Sequence, residues 1–250
     1  FIINKVPRPQ LIFWSNFFRP LLDFYYRGNK FYDPINNKSY RKFLPYGYKN
    51  QRQNALSPGT LSLERHRLLW LYLKNKTEFF NAKIKVLHIA PEQAFYKIFK
   101  SIKNENYITF DLSSPLADIK GDICKMPFED NFFDFIICNH VLEHIDDDKK
   151  AMQELYRVLN KNGTAILQVP IDLNIKRTFE DPGIKDKNER IKKFGQYDHV
   201  RVYGLDYFDR LKKVGFHVEK NNYANEFRDE EIKKYGIVKN EIIPICKKSV

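Results

Sequence analysis

The sequence predicts an α/β fold organised around a mostly parallel sheet, and three features of residues 107–170 support this prediction. Short apolar runs at 107–111 and 135–138 end in polar residues, as strands buried on both faces of a parallel sheet do. An amphipathic helix is predicted over 146–159, with three aspartates at its positive N-terminal end. A third apolar strand follows over 163–170. This alternation is typical of an open α/β sheet.

Polar residues stand at the carboxyl ends of three predicted strands, where open α/β sheets bind their ligands. Asp111 ends the first run, and a carboxylate there can accept hydrogen bonds from both hydroxyls of a ribose. Asp122 lies at the next strand end, where a carboxylate can accept a hydrogen bond from an exocyclic adenine amine. Ile123 offers apolar area to a base, and Asn139 and His140 follow the third strand directly.

From Tyr107 to Pro170 the order of these motifs resembles the core of the class I S-adenosylmethionine-dependent methyltransferases. The resemblance implies a Rossmann-like, seven-stranded methyltransferase sheet, with five parallel strands and two more that close it. It implies S-adenosyl-L-methionine as the cofactor. Asp111 would hold the ribose, Asp122 and Ile123 the adenine, and Leu112 also belongs to the predicted cofactor site.

The first predicted strand, within residues 84–92, departs from the usual pattern of such folds. His88 stands where an acid is common, and Ala90-Pro91-Glu92 stands where glycines normally let the backbone approach the ligand. We assign His88, Ala90 and Glu92 to the cofactor site, with Glu92 and Asn139 at the methionine end. The alternative is that cofactor binding is weak or lost. Ten residues separate Asp111 from Asp122, which predicts that the usual intervening helix is missing or reduced to one turn.

Two histidines are candidates for the catalytic base. His140 follows a strand end, and His199 adjoins Asp198 in a polar segment after the last parallel strand. Residues 140–144 also read H-x-x-E-H, a pattern that binds metal in some enzymes. Methyltransferases commonly carry Val-Leu-Glu-His as a helix start at this place, so we expect no metal and a structural role for His144.

Charge divides the chain unevenly. Residues 1–80 hold 14 Lys and Arg against 4 Asp and Glu, a net of +10, whereas the whole chain carries +12. We therefore predict a basic, aromatic N-terminal module over 1–80 and a methyltransferase domain over 81–250. The module suggests an anionic partner surface, and the alternative is a solubilising surface charge.

Three scattered cysteines indicate a reducing, cytoplasmic location, and no transmembrane segment is predicted.

Residues 11–26 of the module are rich in aromatic side chains, and Pro20 is predicted to kink or end a helix there. An interfacial membrane helix and a helix packed on its own domain share this composition. Packing is the preferred interpretation because no clean polar face opposes the apolar one.

Residues 33–67 resemble an N-terminal module of certain bacterial methyltransferases in which two C-P-x-C pairs bracket a Phe-Leu-Pro-x-Gly segment. Four thiolates in such pairs form a structural zinc site. The corresponding positions here are Asp33, Asn36, Ser57 and Thr60. The resemblance therefore implies a zinc-ribbon-like hairpin that has lost its metal.

The predicted function is methyl transfer to an oxygen or nitrogen nucleophile of a glycan, a lipid-linked acceptor or a small metabolite. Peripheral association with a membrane is a further option. Two alternatives remain open at this point. One is a catalytically inactive binding subunit that keeps the methyltransferase fold. The other is a nucleic-acid methyltransferase, which the lack of a recognition motif disfavours.

Overall fold

The computed structural model describes residues 8–47 and 51–249. Its N-terminal part contains a long helix, two small antiparallel hairpins and a second helix. These elements are α1 (Arg8–Tyr25), β1 (Arg27–Asp33), β2 (Lys38–Tyr40), β3 (Leu44–Tyr46), β4 (Arg52–Leu56) and α2 (Glu64–Lys76). The hairpins pair β1 with β2 and β3 with β4.

The rest of the chain alternates strands and helices. In chain order the elements are β5 (Val86–Ile89), α3 (Gln93–Lys103), β6 (Tyr107–Asp111), β7 (Ile119–Lys120), β8 (Phe133–Asn139), α4 (Asp148–Val158), β9 (Leu159–Gln168), β10 (Phe179–Glu180), α5 (Lys187–Phe194), β11 (Arg201–Val202), α6 (Tyr207–Val214), β12 (His217–Asn221), α7 (Asp229–Tyr235) and β13 (Ile243–Lys247).

Seven of these strands form one sheet in the order β7-β6-β5-β8-β9-β13-β12. Strands β5 to β9 are parallel, and β13 and β12 close the sheet antiparallel. The predicted Rossmann-like sheet of five parallel and two closing strands is confirmed. Between β6 and β7 the described chain forms turns and no helix, as the short spacing predicted.

A proline inside a strand usually marks the edge of a sheet, and Pro244 departs from this rule. Its strand, β13, lies between β12 and β9. The ladder to β9 begins only at Ile245, which pairs with Ile166, so the missing N–H of Pro244 interrupts no hydrogen bond on that side. The helix predicted over 146–159 also ends earlier, because Leu159 already starts β9.

Helices cover both faces of the sheet. On one face α4 and α6 bury apolar side chains such as Met152, Leu155 and Phe208 against the strands. On the other face α2 and α3 do the same with Leu69 and Phe99. Helix α2 of the N-terminal part is therefore integral to the core that supports the parallel strands.

Helix α1 contradicts the preferred packing interpretation. It continues through Pro20, and most of its large apolar side chains face solvent. The exposed side chains, hereafter the aromatic ridge, are Phe13, Trp14, Phe17, Phe18, Leu21, Phe24 and Tyr25. The hydrogen bonds that hold the helix to the rest of the chain come from polar side chains, including Ser15 and Asp23. In the described part of the chain, no helix is both long and apolar enough to cross a membrane.

Candidate active site

The turn after β5 brings a buried carboxylate to the carboxyl edge of the sheet. Ala90 adopts φ of 49°, in the left-handed region that glycine normally occupies at this turn. Glu92 then points inward, where one oxygen contacts His88 Nε2 and the other accepts from Asn139 Nδ2 at 3.0 Å. Burial opposes ionisation, but His88, His66 and Asn139 outweigh it and lower the pKa of Glu92 to about 2.

Two histidines surround this carboxylate. His88 is fully buried, and its Nδ1 lies 2.7 Å from the hydroxyl of Tyr107. His66, from α2, places Nε2 3.8 Å from Glu92 Oε1, and burial holds the pKa of His66 well below its usual value. Both ring nitrogens of His88 contact protein groups. His88 can therefore influence a ligand at the edge of the sheet only through Glu92.

The ends of β6 and β7 present an open, solvent-facing edge. Asp111 Oδ1 accepts from the backbone N–H groups of Ser113 (2.8 Å) and Ser114 (2.5 Å). Leu112, next to it, is 73% exposed, which is unusual for a leucine and leaves an apolar surface beside the carboxylate. Asp122 is exposed, and Ile123 behind it is buried.

A strained step follows β8. His140 has φ of 55°, and non-glycine residues in this region concentrate at functional sites. Its Nδ1 lies 3.3 Å from Glu143 Oε1, while its Nε2 has no partner in the described structure. Asn139, one residue earlier, gives its amide N–H to Glu92 and leaves Oδ1 buried without a partner.

A cavity of about 580 Å³ opens beside His140. Its walls come from the loop after β9, from the segment before β13 and from the N-terminal part. Charged and polar lining residues are Arg52, Glu64, Arg65, His140, Asp172, Lys239, Asn240 and Glu241, and apolar ones include Val169, Ile171 and Ile242. Burial raises the pKa of Glu241, so this carboxyl holds a proton more readily than an exposed one.

The second predicted base, His199, lies elsewhere. It packs edge-to-face on His144, with ring centroids 4.7 Å apart, and does not line the cavity. Asp198, its neighbour in the sequence, places Oδ2 3.5 Å from His144 Nδ1. Arg201, from the same segment, is buried and donates to the carbonyls of Leu142 and Asp146, which fixes the segment against the end of β8.

Sequence reasoning missed the residues that the N-terminal part and the segment before β13 contribute. Arg52, Arg65 and Glu241 reach the cavity from positions far from His140 in the chain. Only the tertiary contacts bring them together. The one available signal was the Arg65-His66-Arg67 triplet at the start of a helix, where cations are unfavourable without a negative partner.

Comparison with known proteins identifies the domain that carries this site. Residues 75–167 match the family described as "Methyltransferase domain". Over 95 residues the chain is 34% identical to sterol 4-C-methyltransferase strm-1 of Caenorhabditis elegans, covering 38% of this chain and 27% of that protein. It is 26% identical to ajmaline N-methyltransferase of Rauvolfia serpentina over 116 residues, 45% of this chain and 36% of the relative. The chain thus spans well under half the length of these two relatives.

Among solved structures, the cyclase SpnF superposes with a TM-score of 0.52 at 13% identity, covering 87% of this chain and 92% of SpnF. This likeness concerns the fold. The matched segment and the strand order support a class I S-adenosylmethionine-dependent methyltransferase domain around residues 75–167. S-adenosyl-L-methionine is the cofactor that this domain family binds.

The residues at the edge of the sheet fit this cofactor. Asp111 and the exposed Leu112 offer a carboxylate beside apolar surface, which suits a ribose and a base. Asn139 has a buried Oδ1 without a partner, which suits a donor such as an ammonium group. Glu92 adds a carboxylate of lowered pKa, and hence a negative charge, at the same edge.

Proposed function

We propose that the protein transfers a methyl group from S-adenosylmethionine to an oxygen or nitrogen nucleophile of a small-molecule acceptor bound in the 580 Å³ cavity. The observation that carries the proposal is His140. The residue forms part of the cavity wall, its Nε2 is buried without a protein partner, and Asn139 beside it belongs to the proposed cofactor edge.

Asp111, with Leu112 beside it, would hold the ribose, and Asp122 and Ile123 would hold the adenine. Asn139 and Glu92 would border the methionine end, and Ala90 would form the tight turn beneath it. His88 supports Glu92 from below. When bound, the cofactor supplies an activated methyl group on a positively charged sulfur, so the chain's own work is alignment and proton removal.

His140 is the proposed base. Glu143, which is 1% exposed, faces His140 Nδ1 and stabilises the proton on that nitrogen. The lone pair then lies on Nε2, the atom without a partner. Glu143 stays ionised because His140 and His144 lower its pKa against the opposing effect of burial. His199 remains the second candidate, although it lies outside the cavity wall.

The walls of the cavity favour a small acceptor with a polar end. Arg52 is held by both carboxylate oxygens of Glu64, at 2.7 and 3.2 Å, whereas Arg65 has a buried Nε without a partner. A cavity of this size is typical for small-molecule ligands. The names of the relatives, a sterol and an alkaloid methyltransferase, agree with a small acceptor.

Calorimetric titration with S-adenosylmethionine and S-adenosylhomocysteine tests the cofactor half of the proposal. Asp111→Ala is expected to weaken binding at least about 30-fold, because a charge-assisted pair of hydrogen bonds to the ribose is lost. Asp209→Ala, an exposed carboxylate on α6, serves as the matched control. Absence of binding by folded wild-type protein would favour the inactive binding subunit instead.

The acceptor half of the proposal is tested by measuring transfer of labelled methyl groups to a panel of sterols, alkaloids, phosphoethanolamines and amino sugars. His140→Asn is expected to lower kcat about 10²- to 10⁴-fold with unchanged cofactor affinity, as loss of a general base does. Equal turnover by wild type and His140→Asn on an accepted substrate would remove His140 from the proposed role.

A second proposal concerns α1, which we suggest docks on an anionic lipid surface. Its aromatic ridge is rimmed by cations, with Arg27 5.4 Å from the Phe24 ring and Arg41 4.4 Å from the Tyr25 ring. Exposed aromatic side chains beside basic groups are the composition of interfacial helices. The excess positive charge of residues 1–80 has the sign that such a surface attracts.

Co-sedimentation with vesicles tests this docking. We expect binding to vesicles with 30% phosphatidylglycerol, on the order of 10-fold less binding to pure phosphatidylcholine, and loss of binding in Phe17→Glu/Phe24→Glu. Ile102→Glu on α3, which is also an exposed apolar position, is the control. Equal loss in the control, or no binding to anionic vesicles, would contradict the proposal.

A further inference from the structure

Three side chains behind His140 form a cluster that the proposed methyl transfer does not use fully. Glu143, His144 and His199 each offer one ligand atom, and these atoms lie within 4.8 Å of one another. Two segments distant in the chain are held together here, because Val200 N–H donates to the carbonyl of Glu143 at 2.9 Å. The convergence is therefore fixed by the backbone as well as by the side chains.

Both imidazoles are oriented by carbonyl groups. His144 Nδ1 lies 3.2 Å from the carbonyl oxygen of Asp198, and His199 Nδ1 lies 3.3 Å from that of Phe194. A carbonyl can only accept, so Nδ1 carries the hydrogen in each ring and Nε2 carries the lone pair. Metal-binding histidines are oriented in this way, with the other ring nitrogen donating to a backbone carbonyl or carboxylate.

One oxygen of the cluster's carboxylate lacks a donor. Glu143 is 1% exposed, and its Oε2 has no hydrogen-bond partner in the described structure. A buried carboxylate oxygen without a donor is costly, and side-chain packing alone does not explain why it is placed beside two imidazole rings. A cation at this point would satisfy all three groups.

We propose that Glu143, His144 and His199 bind a divalent transition metal ion, with Zn²⁺ as the best match. Two imidazole nitrogens and one carboxylate are a common donor set for Zn²⁺, Co²⁺ and Fe²⁺, whereas Mg²⁺ and Ca²⁺ prefer oxygen ligands. Zinc–ligand distances of about 2.0–2.2 Å require the three atoms to approach to roughly 3.5 Å. The half-buried rings of His144 and His199 can make that adjustment by side-chain rotation.

The site would adjoin the acceptor cavity through Glu143. One oxygen of this carboxylate faces His140 Nδ1 in the cavity wall, and the other, Oε2, faces no protein donor. Three protein ligands leave at least one coordination position open. The inference does not depend on methyl transfer, because its readouts are metal stoichiometry and coordination.

Metal-stripped full-length protein titrated with Zn²⁺ by calorimetry, and with Co²⁺ by visible absorption, tests the site. We expect one equivalent of Zn²⁺ at micromolar Kd or tighter, and Co²⁺ bands of four- or five-coordinate intensity. His199→Gln and Glu143→Gln should each weaken Zn²⁺ binding at least about 30-fold, and Mg²⁺ should not compete at equal concentration.

His217→Ala removes an exposed histidine on β12 and is the matched control. It should leave the affinity for Zn²⁺ unchanged. Circular dichroism and thermal unfolding of each metal-free variant separate loss of a ligand from loss of the fold, and His144→Gln replaces any variant that fails to fold. The proposal is overturned if wild-type protein binds Zn²⁺ no tighter than about 100 μM, or if the folded ligand variants bind it as wild type does.

Discussion

Two polar clusters in this protein contain a buried carboxylate, and the two carboxylates differ in how fully they are hydrogen-bonded. Around Asp33 in the N-terminal part, Oδ1 accepts from Ile35 N–H, and Oδ2 accepts from the hydroxyls of Thr60 and Ser62. Around Glu143, one carboxylate oxygen has no donor in the described structure and two imidazole lone pairs point away from their backbone contacts. The first occupies the positions that resemble a zinc module, and the second lies where no metal was expected.

Arg67 closes the first cluster. Its guanidinium is buried and donates to the carbonyls of Ser62, Ala55, Tyr235 and Gly236 at 2.6–3.0 Å. Burial lowers its pKa to about 10, with Asp33 opposing that change. The difference between the carboxylates of Asp33 and Glu143 therefore separates two predictions: the first cluster is the proposed degenerate zinc site, and the second is the proposed metal site.

The largest expected effect comes from introducing thiolates into the first cluster. The variant Asp33→Cys/Asn36→Cys/Ser57→Cys/Thr60→Cys should bind one Zn²⁺ and unfold at higher temperature with it, since four thiolates form a structural site. The four positions are close in space. Thr60 donates to Asp33, Asn36 lies beside Gly59, and the carbonyl of Ser57 accepts from Leu61 N–H at 2.9 Å. A variant that folds without acquiring zinc would contradict the zinc-ribbon interpretation.

Removing the guanidinium of Arg67 should cause the next largest loss of stability. Arg67→Met leaves four carbonyls, two of them in buried residues, without their donor, and we expect the free energy of unfolding to fall by about 3–5 kcal/mol. Urea denaturation at pH 7 measures it. Arg228→Met, on an exposed arginine paired with Glu231, should change stability by less than about 0.5 kcal/mol.

Glu92 is a third carboxylate that can be compared with Asp33 and Glu143. It lies at the proposed cofactor edge, and both of its oxygens have hydrogen-bond partners. Its pKa of about 2 in the folded chain lies below the ordinary 4.5, so its ionised form stabilises the fold above pH 4.5. That contribution, about 3 kcal/mol, is lost as pH falls from 4.5 towards 2. Glu92→Gln should therefore be less stable than wild type at pH 7, and the difference should shrink in acid. A difference that does not vary with pH would show that the charge of Glu92 contributes nothing.

The smallest expected change in stability comes from one substitution in each cluster, which compares the two clusters directly. Asp33→Asn should cost about 1–2 kcal/mol, since an amide cannot accept all the hydrogen bonds that the carboxylate receives. Glu143→Gln should cost less, under about 1 kcal/mol in metal-free protein, because Oε2 has no donor to lose. The comparison fails if Glu143→Gln proves the more costly of the two in chemical denaturation at pH 7.

The sequence predicted the sheet well because its information is local. Apolar runs predicted the strands at 107–111, 135–138 and 163–170, and the family resemblance implied the total of five parallel strands. The ten residues between Asp111 and Asp122 indicated the missing helix. The exposed aromatic ridge of α1 was not predicted, because its composition fits a buried helix equally well. The interior place of Pro244 also depends on tertiary pairing, because the point at which a ladder begins is set by the partner strand.

The candidate site likewise contains some residues that the sequence predicted and others that only the structure identifies. Asp111, Asp122, Asn139 and His140 were visible because each follows a strand end. The His144–His199 contact and the reach of Arg65 and Glu241 into the cavity arise from tertiary packing between distant segments. The H-x-x-E-H spacing singled out Glu143 and His144 in the sequence. A chemical role is suggested only by the structure, in which Oε2 of Glu143 has no hydrogen-bond partner.

The attachment of α1 has a consequence for regulation. Gln93, the first residue of α3, donates to Ser15 Oγ at 2.9 Å and to Asn16 Oδ1 at 3.2 Å, so the ridge-bearing helix is tethered directly after the Ala90-Pro91-Glu92 turn. A ligand that displaces α1 therefore acts on the element that begins at the cofactor edge. By thermodynamic reciprocity, any factor by which a docking surface changes the affinity for cofactor must equal the factor by which the cofactor changes affinity for that surface.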